Sequence, residues 1–143
     1  TDGVRHLNLQ PGEILTRVRI PLRPHRRMAF RKWSVRHAID FPLVNIALRV
    51  DETADGEITD AVAVVGVLAA RPRVLKNLNS LCQGKRMSPD LAADIGELIY
   101  EKCRPLPNVP YDAAYRREML RVQAKRAALC LVKGAKLQVR DAF

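Results

Sequence analysis

Aromatic side chains make up only 5% of this 143-residue chain, with one Trp, three Tyr and three Phe. So few rings argue against a surface that stacks single-stranded nucleic acid base by base. Cysteine is also scarce: Cys82, Cys103 and Cys130 are an odd number, widely spaced, with no CxxC pair. That pattern suggests neither a disulfide framework nor a zinc site, and it fits a reducing, cytoplasmic compartment in which the thiols are small buried hydrophobes. The seven glycines, at 3, 12, 56, 66, 84, 96 and 134, never cluster, so GxGxxG and Walker-type phosphate loops are absent. His6, His25 and His37 have neither HxxxH nor HExxH spacing, and surface imidazoles are expected rather than a metal centre. None of Ser34, Ser80 and Ser88 lies in a GxSxG elbow, so self-contained hydrolase chemistry lacks its nucleophile. The longest apolar run, Ala61 to Ala70, is too short to cross a bilayer as a helix. The opening TDGVRHLNLQPGE lacks a basic start followed by an apolar stretch, so it does not read as a secretory signal. It resembles an excised piece of linker.

What the chain has in excess is positive charge. Twenty-five Lys and Arg against fifteen Asp and Glu leave a net +10, while 48% apolar content is enough for one ordinary core. Between Ile14 and Ile39 stand Arg17, Arg19, Arg23, Arg26, Arg27, Arg31, Lys32 and Arg36 without a single acid. Arg117, Arg121 and Lys125 follow i, i+4, i+8 spacing, which places them on one face of a helix. Such charge suits an anionic partner: nucleic acid, acidic lipid, a phosphorylated cofactor or an acidic protein surface. With no RNP-like pattern and no helix-turn-helix pairing, specific nucleic-acid binding is the less favoured of these. The acids Asp51, Glu52, Asp55, Glu57 and Asp60 gather around an expected turn and are read as solvated charges rather than a catalytic pair.

Periodicity orders the elements with strands first and helices after. Residues 14–20 (ILTRVRI) alternate and stop at Pro21, which predicts a strand; alternation resumes from Met28 to Arg36 after a basic, Pro-interrupted connection. Leu43 to Asp51 and Ile58 to Leu68 flank an Asp-Gly pair, the signature of a β-hairpin. A helix opening at Pro72 is expected to carry Val74, Leu75, Leu78, Leu81 and Cys82 until Gly84 stops it. Ser88 caps the next helix, with Pro89 at its first position and Leu91, Ile95, Leu98, Ile99 and Cys103 along one face. Three prolines between Cys103 and Tyr111 enforce an extended segment. Asp112 then caps a long helix through Tyr115, Met119 and Val122 to about Leu131, ahead of Gly134. This segregation predicts an α+β domain, an antiparallel sheet covered by C-terminal helices, rather than βαβ units. The division expected is a linker over 1–12, one domain over 13–133 and a tail over 134–143.

Four blocks, GEILTRVRIP, FRKWSVRHAIDFPLVNIALRV, GVLAARPRVLKNLNSLCQGK and YDAAYRREMLRVQAKRAAL, occur in an order that resembles one domain family. The family is the C-terminal domain of the FAD-binding, medium subunit of molybdenum hydroxylases, a group with xanthine dehydrogenase, carbon monoxide dehydrogenase and 4-hydroxybenzoyl-CoA reductase. The run AIDFPLVN is most similar to the aryl-CoA reductase branch. The resemblance implies an oxidoreductase fragment that is not catalytic alone. FAD would be bound mainly by an upstream domain of the same subunit, with iron–sulfur and molybdenum subunits as partners. Phe30, Lys32, Arg36 and Asp40 match the block whose lysine lies near the flavin, so Lys32 and Arg36 are the candidate cofactor contacts. A fixed ammonium there would favour the anionic reduced flavin. Arg117, Arg121 and Lys125 are the candidates for subunit docking. Tyr115, Arg116 and Arg117 match the helix-opening block, with a structural role expected: a ring packed under the sheet and an arginine on a carboxylate or on backbone carbonyls. Where the third block often has an acid, Lys76, Asn77, Leu78 and Asn79 stand instead, so the resemblance does not extend to a helix-anchoring ion pair there. An additional iron–sulfur cluster, as in aryl-CoA reductases, would need thiolates closer together than these three.

Overall fold

A computed structural model describes residues 7–36, 39–107 and 111–134. Strands β1 (Arg26–Trp33), β2 (Val44–Glu52), β3 (Ile58–Gly66) and β4 (Arg73–Val74) come first, then helices α1 (Leu78–Cys82), α2 (Pro89–Lys102) and α3 (Ala113–Leu129). The sheet order is β1-β2-β3-β4, and every neighbouring pair is antiparallel. This is the α+β architecture expected from the segregation of strand and helix patterns.

Each strand turns alternate residues to one side. On β2, Val44, Ile46, Leu48 and Val50 are fully excluded from solvent, and on β3 Ala61, Ala63 and Val65 join them in one core cluster. Helix α3 lies across β1 and β2, α1 packs against β3, and α2 packs on α3. Gly56 (φ +87°) takes the left-handed conformation that closes the β2–β3 hairpin, with its amide donating to the Thr53 carbonyl at 3.0 Å. Ser88 Oγ accepts from the Leu91 amide at 3.1 Å, the cap expected for α2. At Gly96 a Cβ would stand 3.1 Å from the Arg121 carbonyl oxygen, so glycine is what lets α2 and α3 close on each other.

Several expectations are corrected. Residues 14–20 form no strand: no neighbouring strand hydrogen-bonds to them, and Ile14, Val18 and Ile20 are exposed. Pro72 opens no helix. Arg73 and Val74 pair with Val65 and Val64 of β3, and Asn77 at φ +71° resets the chain so that α1 starts only at Leu78. The turn acids are not all solvated: Glu52 is buried against Arg27, and Asp51 is paired with Arg26 and Arg49, because the hairpin arm runs antiparallel to the basic strand β1. Helix α3 buries Arg116, Leu120, Gln123, Ala124, Ala127 and Ala128, one position off the Tyr115, Met119, Val122 face. Asp112 occupies the N-cap of α3, yet its side chain makes no capping hydrogen bond. Cys82 and Cys103 are buried while Cys130 is half-buried, and burial pushes the Cys82 thiol up to about 11. His6 and His37 lie outside the described residues, as do the first half of the expected linker and all but Gly134 of the expected tail.

Candidate cofactor-facing surface

The β1–β2 corner is organised by one carboxylate. Asp40 accepts from the Arg36 amide (2.9 Å), from the Arg36 guanidinium (3.3 Å) and from the Phe41 amide (2.9 Å). These donors, the Arg36 amide foremost, hold its carboxyl below the usual carboxylate range. Lys32 Nζ donates to the Asp40 carbonyl at 2.6 Å. Lys32, Arg36 and Asp40, read from the sequence as one block, therefore meet at one corner. The ammonium is fixed by a single carbonyl and keeps two further donors. Around it the corner exposes Val35, Ile39 and Phe41.

Lys32 belongs to the sheet face that the helices leave bare. Register sets Lys32 opposite Asn45, and Asn45 opposite Gly66. A Cβ on Gly66 would collide with Asn45 Oδ1 at 2.0 Å, so the missing side chain is what allows Asn45 to lie flat across that row. The adjoining row is apolar: Phe30, Ala47, Val64 and Val74. Next come Met28, Arg49 and Val62. Met28 and Phe30 are each 62% exposed, an uncommon state for side chains of that size on a sheet. The far end of this face is closed by a charge network. Arg26 forks onto Asp51 at 2.7 and 2.8 Å, and Arg49 bridges Asp51 and Asp60.

The basic run of β1 is thus largely spent within the fold. Arg27 pairs with Glu52 and also donates to the Leu131 carbonyl, tying the end of α3 to the sheet. Arg31 is buried, with Nε on Gln123 Oε1 at 3.2 Å and Nη1 without a protein acceptor. What remains of the run as exposed cations are Arg17, Arg19 and Arg23, together with Arg36, which Asp40 pairs. The α3 stripe turns toward α2. Arg117 stacks 3.7 Å over the Tyr100 ring and donates to the Tyr100 carbonyl, Arg121 bridges Glu97 and Glu118, and Lys125 is exposed.

The residue that the sequence reading undervalued is Arg116. Wholly buried, it donates to the carbonyls of Leu43 (3.2 and 3.3 Å), Val67 (2.6 Å) and Leu106 (2.8 Å), and so fastens three loop ends to α3. Burial lowers its pKa from the ordinary arginine value. Val67 takes φ +65°, rare for a β-branched residue, and its carbonyl is one of those three acceptors. Beside this anchor, Trp33, Tyr111 and Tyr115 form an aromatic cluster with centroids 5.5–6.0 Å apart. Among the described residues no group of three His, Cys, Asp or Glu side chains is arranged to hold a metal ion, and no helix is long and apolar enough to cross a membrane.

The fold is a four-stranded antiparallel sheet with one face under helices and the other bare beside a fixed lysine. The sequence profile of the CO dehydrogenase flavoprotein C-terminal domain matches residues 29–131, and the chain belongs to that family. A curated relative, the glyceraldehyde dehydrogenase medium chain of Sulfolobus acidocaldarius, is 26% identical over 116 residues, 81% of this chain. The chain spans 41% of the length of that relative. Among solved structures, CO dehydrogenase from Oligotropha carboxidovorans superposes with a TM-score of 0.68 at 22% identity, covering 84% of this chain and 42% of the other. Quinoline 2-oxidoreductase from Pseudomonas putida 86 gives 0.68 at 22% identity, over 78% and 39%. Carbon monoxide dehydrogenase from Hydrogenophaga pseudoflava gives 0.68 at 15% identity, over 77% and 38%. At these identities the structural likeness carries the fold alone.

Proposed function

We propose that this domain completes the flavoprotein subunit of a molybdenum-containing oxidoreductase, closing over FAD whose main binding loops belong to an upstream domain. The observation that supports the reading most is the bare sheet face. Its Lys32, Asn45 and Gly66 row is flat and polar, and the adjoining Phe30, Ala47, Val64 and Val74 row is flat and apolar. A planar ring system fits against such a surface, whereas a diphosphate does not, since the face has no glycine-rich loop. When bound, FAD supplies electron transfer between itself and the iron–sulfur and molybdenum centres of partner subunits. This chain's residues orient and exclude water: Lys32 presents its ammonium, Asp40 fixes that ammonium, and Arg36 fixes Asp40. For subunit docking, Lys125 and the solvent side of Arg121 are the charges of the α3 stripe left accessible. The finer assignment to an aryl-CoA reductase rests on the run AIDFPLVN and is tested by substrate turnover.

The experiment is an absorption spectrum of the purified chain and of the polypeptide that includes its native upstream coding region. A flavin spectrum confined to the longer protein is expected; a longer protein still colourless after added FAD overturns the reading. In the flavin-loaded protein, Lys32→Ala should lower the flavin midpoint potential by roughly 20 mV, the two-electron equivalent of about 1 kcal/mol of lost charge stabilisation.

A further inference from the structure

At the end of the sheet that carries Lys32, the chain leaves the strands in two loops, and one side chain from the opposite face holds both. Lys32 stands opposite Asn45 and Asn45 opposite Gly66, so this row is flanked by Leu43, one residue before β2, and by Val67, one residue after β3. The Leu43 amide donates to the Trp33 carbonyl at 2.8 Å, which closes the corner loop that contains Asp40. The Leu43 carbonyl accepts from Arg116 Nε and Nη2 at 3.3 and 3.2 Å, and the Val67 carbonyl accepts from the same Nη2 at 2.6 Å. Nη1 reaches the Leu106 carbonyl at 2.8 Å, and the Leu106 amide in turn donates to the Leu68 carbonyl at 3.2 Å. One planar guanidinium thus ties the loops at both ends of the row to α3.

Two features exceed what joining loops requires. Arg116 is wholly buried, and among the described residues no carboxylate pairs with it. A buried cation satisfied only by neutral carbonyls is a costly fastener, since an apolar side chain of similar volume avoids the desolvation penalty. What the guanidinium supplies, and an apolar side chain does not, is a fixed spacing between its acceptors. The second feature is Val67 at φ +65°, a strained conformation for a β-branched residue, whose carbonyl Arg116 holds in place. Its neighbour Gly66 packs so closely on Asn45 that a Cβ would stand 2.0 Å from Oδ1, so a shift of the backbone there displaces the Asn45 side chain.

We infer that Arg116 is a positioning residue for the flavin-facing row, setting from the helix side the spacing between the Lys32 ammonium and the Asn45 and Gly66 edge. It touches neither end of the row. One path runs through the Leu43 carbonyl to the corner loop whose Asp40 carbonyl holds Lys32, and the other through Val67 to Gly66. The inference rests on the function proposed above and assigns to it a residue on the far side of the sheet from the flavin.

The test is a double-mutant cycle on the midpoint potential of the flavin in the full-length, flavin-loaded protein. Lys32→Ala alone should change the equilibrium between reduced and oxidised flavin by about 5-fold, the equivalent of the potential shift given above. Arg116→Lys, which keeps the charge and loses the fork, should change it by about 2- to 4-fold in the same direction. In the double variant the change should equal that of Lys32→Ala, because an ammonium already removed cannot be displaced. Leu48→Ala, a core truncation away from Arg116, should leave the equilibrium within about 1.5-fold of the wild type despite its loss of stability. A measurement independent of flavin runs beside these: hydrogen exchange at the Leu43 amide should be at least about 10-fold faster in Arg116→Lys than in Leu48→Ala. An unchanged potential in Arg116→Lys overturns the inference, as do independent effects in the double variant or an equal shift in Leu48→Ala. If Arg116→Lys fails to hold flavin, the exchange comparison decides: faster exchange at Leu43 supports the clamp, and equal exchange overturns it. A wild-type protein that stays colourless overturns the function proposed above and this inference with it, and is told apart from the other failures because it appears without any substitution.

Discussion

The two faces of the sheet are built from the same three long strands and treat apolar surface in opposite ways. On the helix side, Val44, Ile46, Leu48 and Val50 are sealed, and two of the charges that enter are bound closely, Arg116 by three carbonyls and Arg27 by Glu52 and the Leu131 carbonyl, while Arg31 is held through Gln123. On the bare side, Met28 and Phe30 stay 62% exposed, and the arginines are matched with Asp51 and Asp60 within reach of water. The first arrangement specifies the fold, because an unsatisfied group there costs its whole desolvation penalty. The second contributes little to folding, and an apolar face kept bare is the signature of a surface covered in an assembly. Sealed and bare surface thus divide between the two faces of one set of strands, β1 supplying Arg27, Ala29, Arg31 and Trp33 to one and Arg26, Met28, Phe30 and Lys32 to the other.

Substitution breaks this contrast most severely at its anchor. Arg116→Ala leaves three carbonyls, that of Leu43 buried, without their donor and empties a sealed site, and should cost about 3–5 kcal/mol, seen as a lower midpoint in urea denaturation. Arg116→Lys restores the charge without the fork and should recover only part of the loss. A step smaller, Leu48→Ala on the sealed face should cost about 2–5 kcal/mol, whereas Phe30→Ser on the bare face should change stability by no more than about 0.5 kcal/mol. Equal losses from the last two would show that the bare face is part of the folding core and would dissolve the distinction.

How much of this was legible in the sequence varies with whether a signal is local. Ser88-Pro89 and the Asp-Gly pair announce a helix start and a hairpin through chemistry confined to a few residues, and both stand as read. Residues 14–20 alternate just as convincingly, but a strand needs an adjacent edge, and alternation says nothing about whether one is present. The segment after Ala70 misled for a related reason: Val74 and Leu75 fit helical spacing, while the free edge of β3 and the left-handed Asn77 decided the outcome. The Lys32, Arg36, Asp40 block was legible because its members lie within one corner. Arg116 was not, since sequence treats it like its neighbour Arg117. Its one signal is position: Arg116, Leu120, Gln123 and Ala127 recur at three- and four-residue intervals along the stripe that α3 buries. A charge falling on such a stripe marks a cation that tertiary contacts must satisfy.

Acid sharpens the comparison with the smallest effect. Asp51 is the hub of the bare face's charge network, and the hydrogen bonds from Arg26, reinforced by the charge of Arg49, lower its pKa. A carboxyl whose pKa is lower folded than unfolded binds fewer protons in the native state. Its contribution is therefore fully present above the unfolded value of about 3.9 and is lost as pH falls through the folded value. The pair is partly exposed, so the contribution is at most about 1 kcal/mol. Between pH 7 and 5 it should be flat, and below about pH 4 the native protein should lose it progressively. Asp51→Asn should remove that part of the acid dependence. Urea midpoints measured from pH 7 to pH 3 for both proteins decide the matter: parallel curves would mean that the network on the bare face adds nothing to the fold, and convergence at low pH would assign it the acid-sensitive fraction.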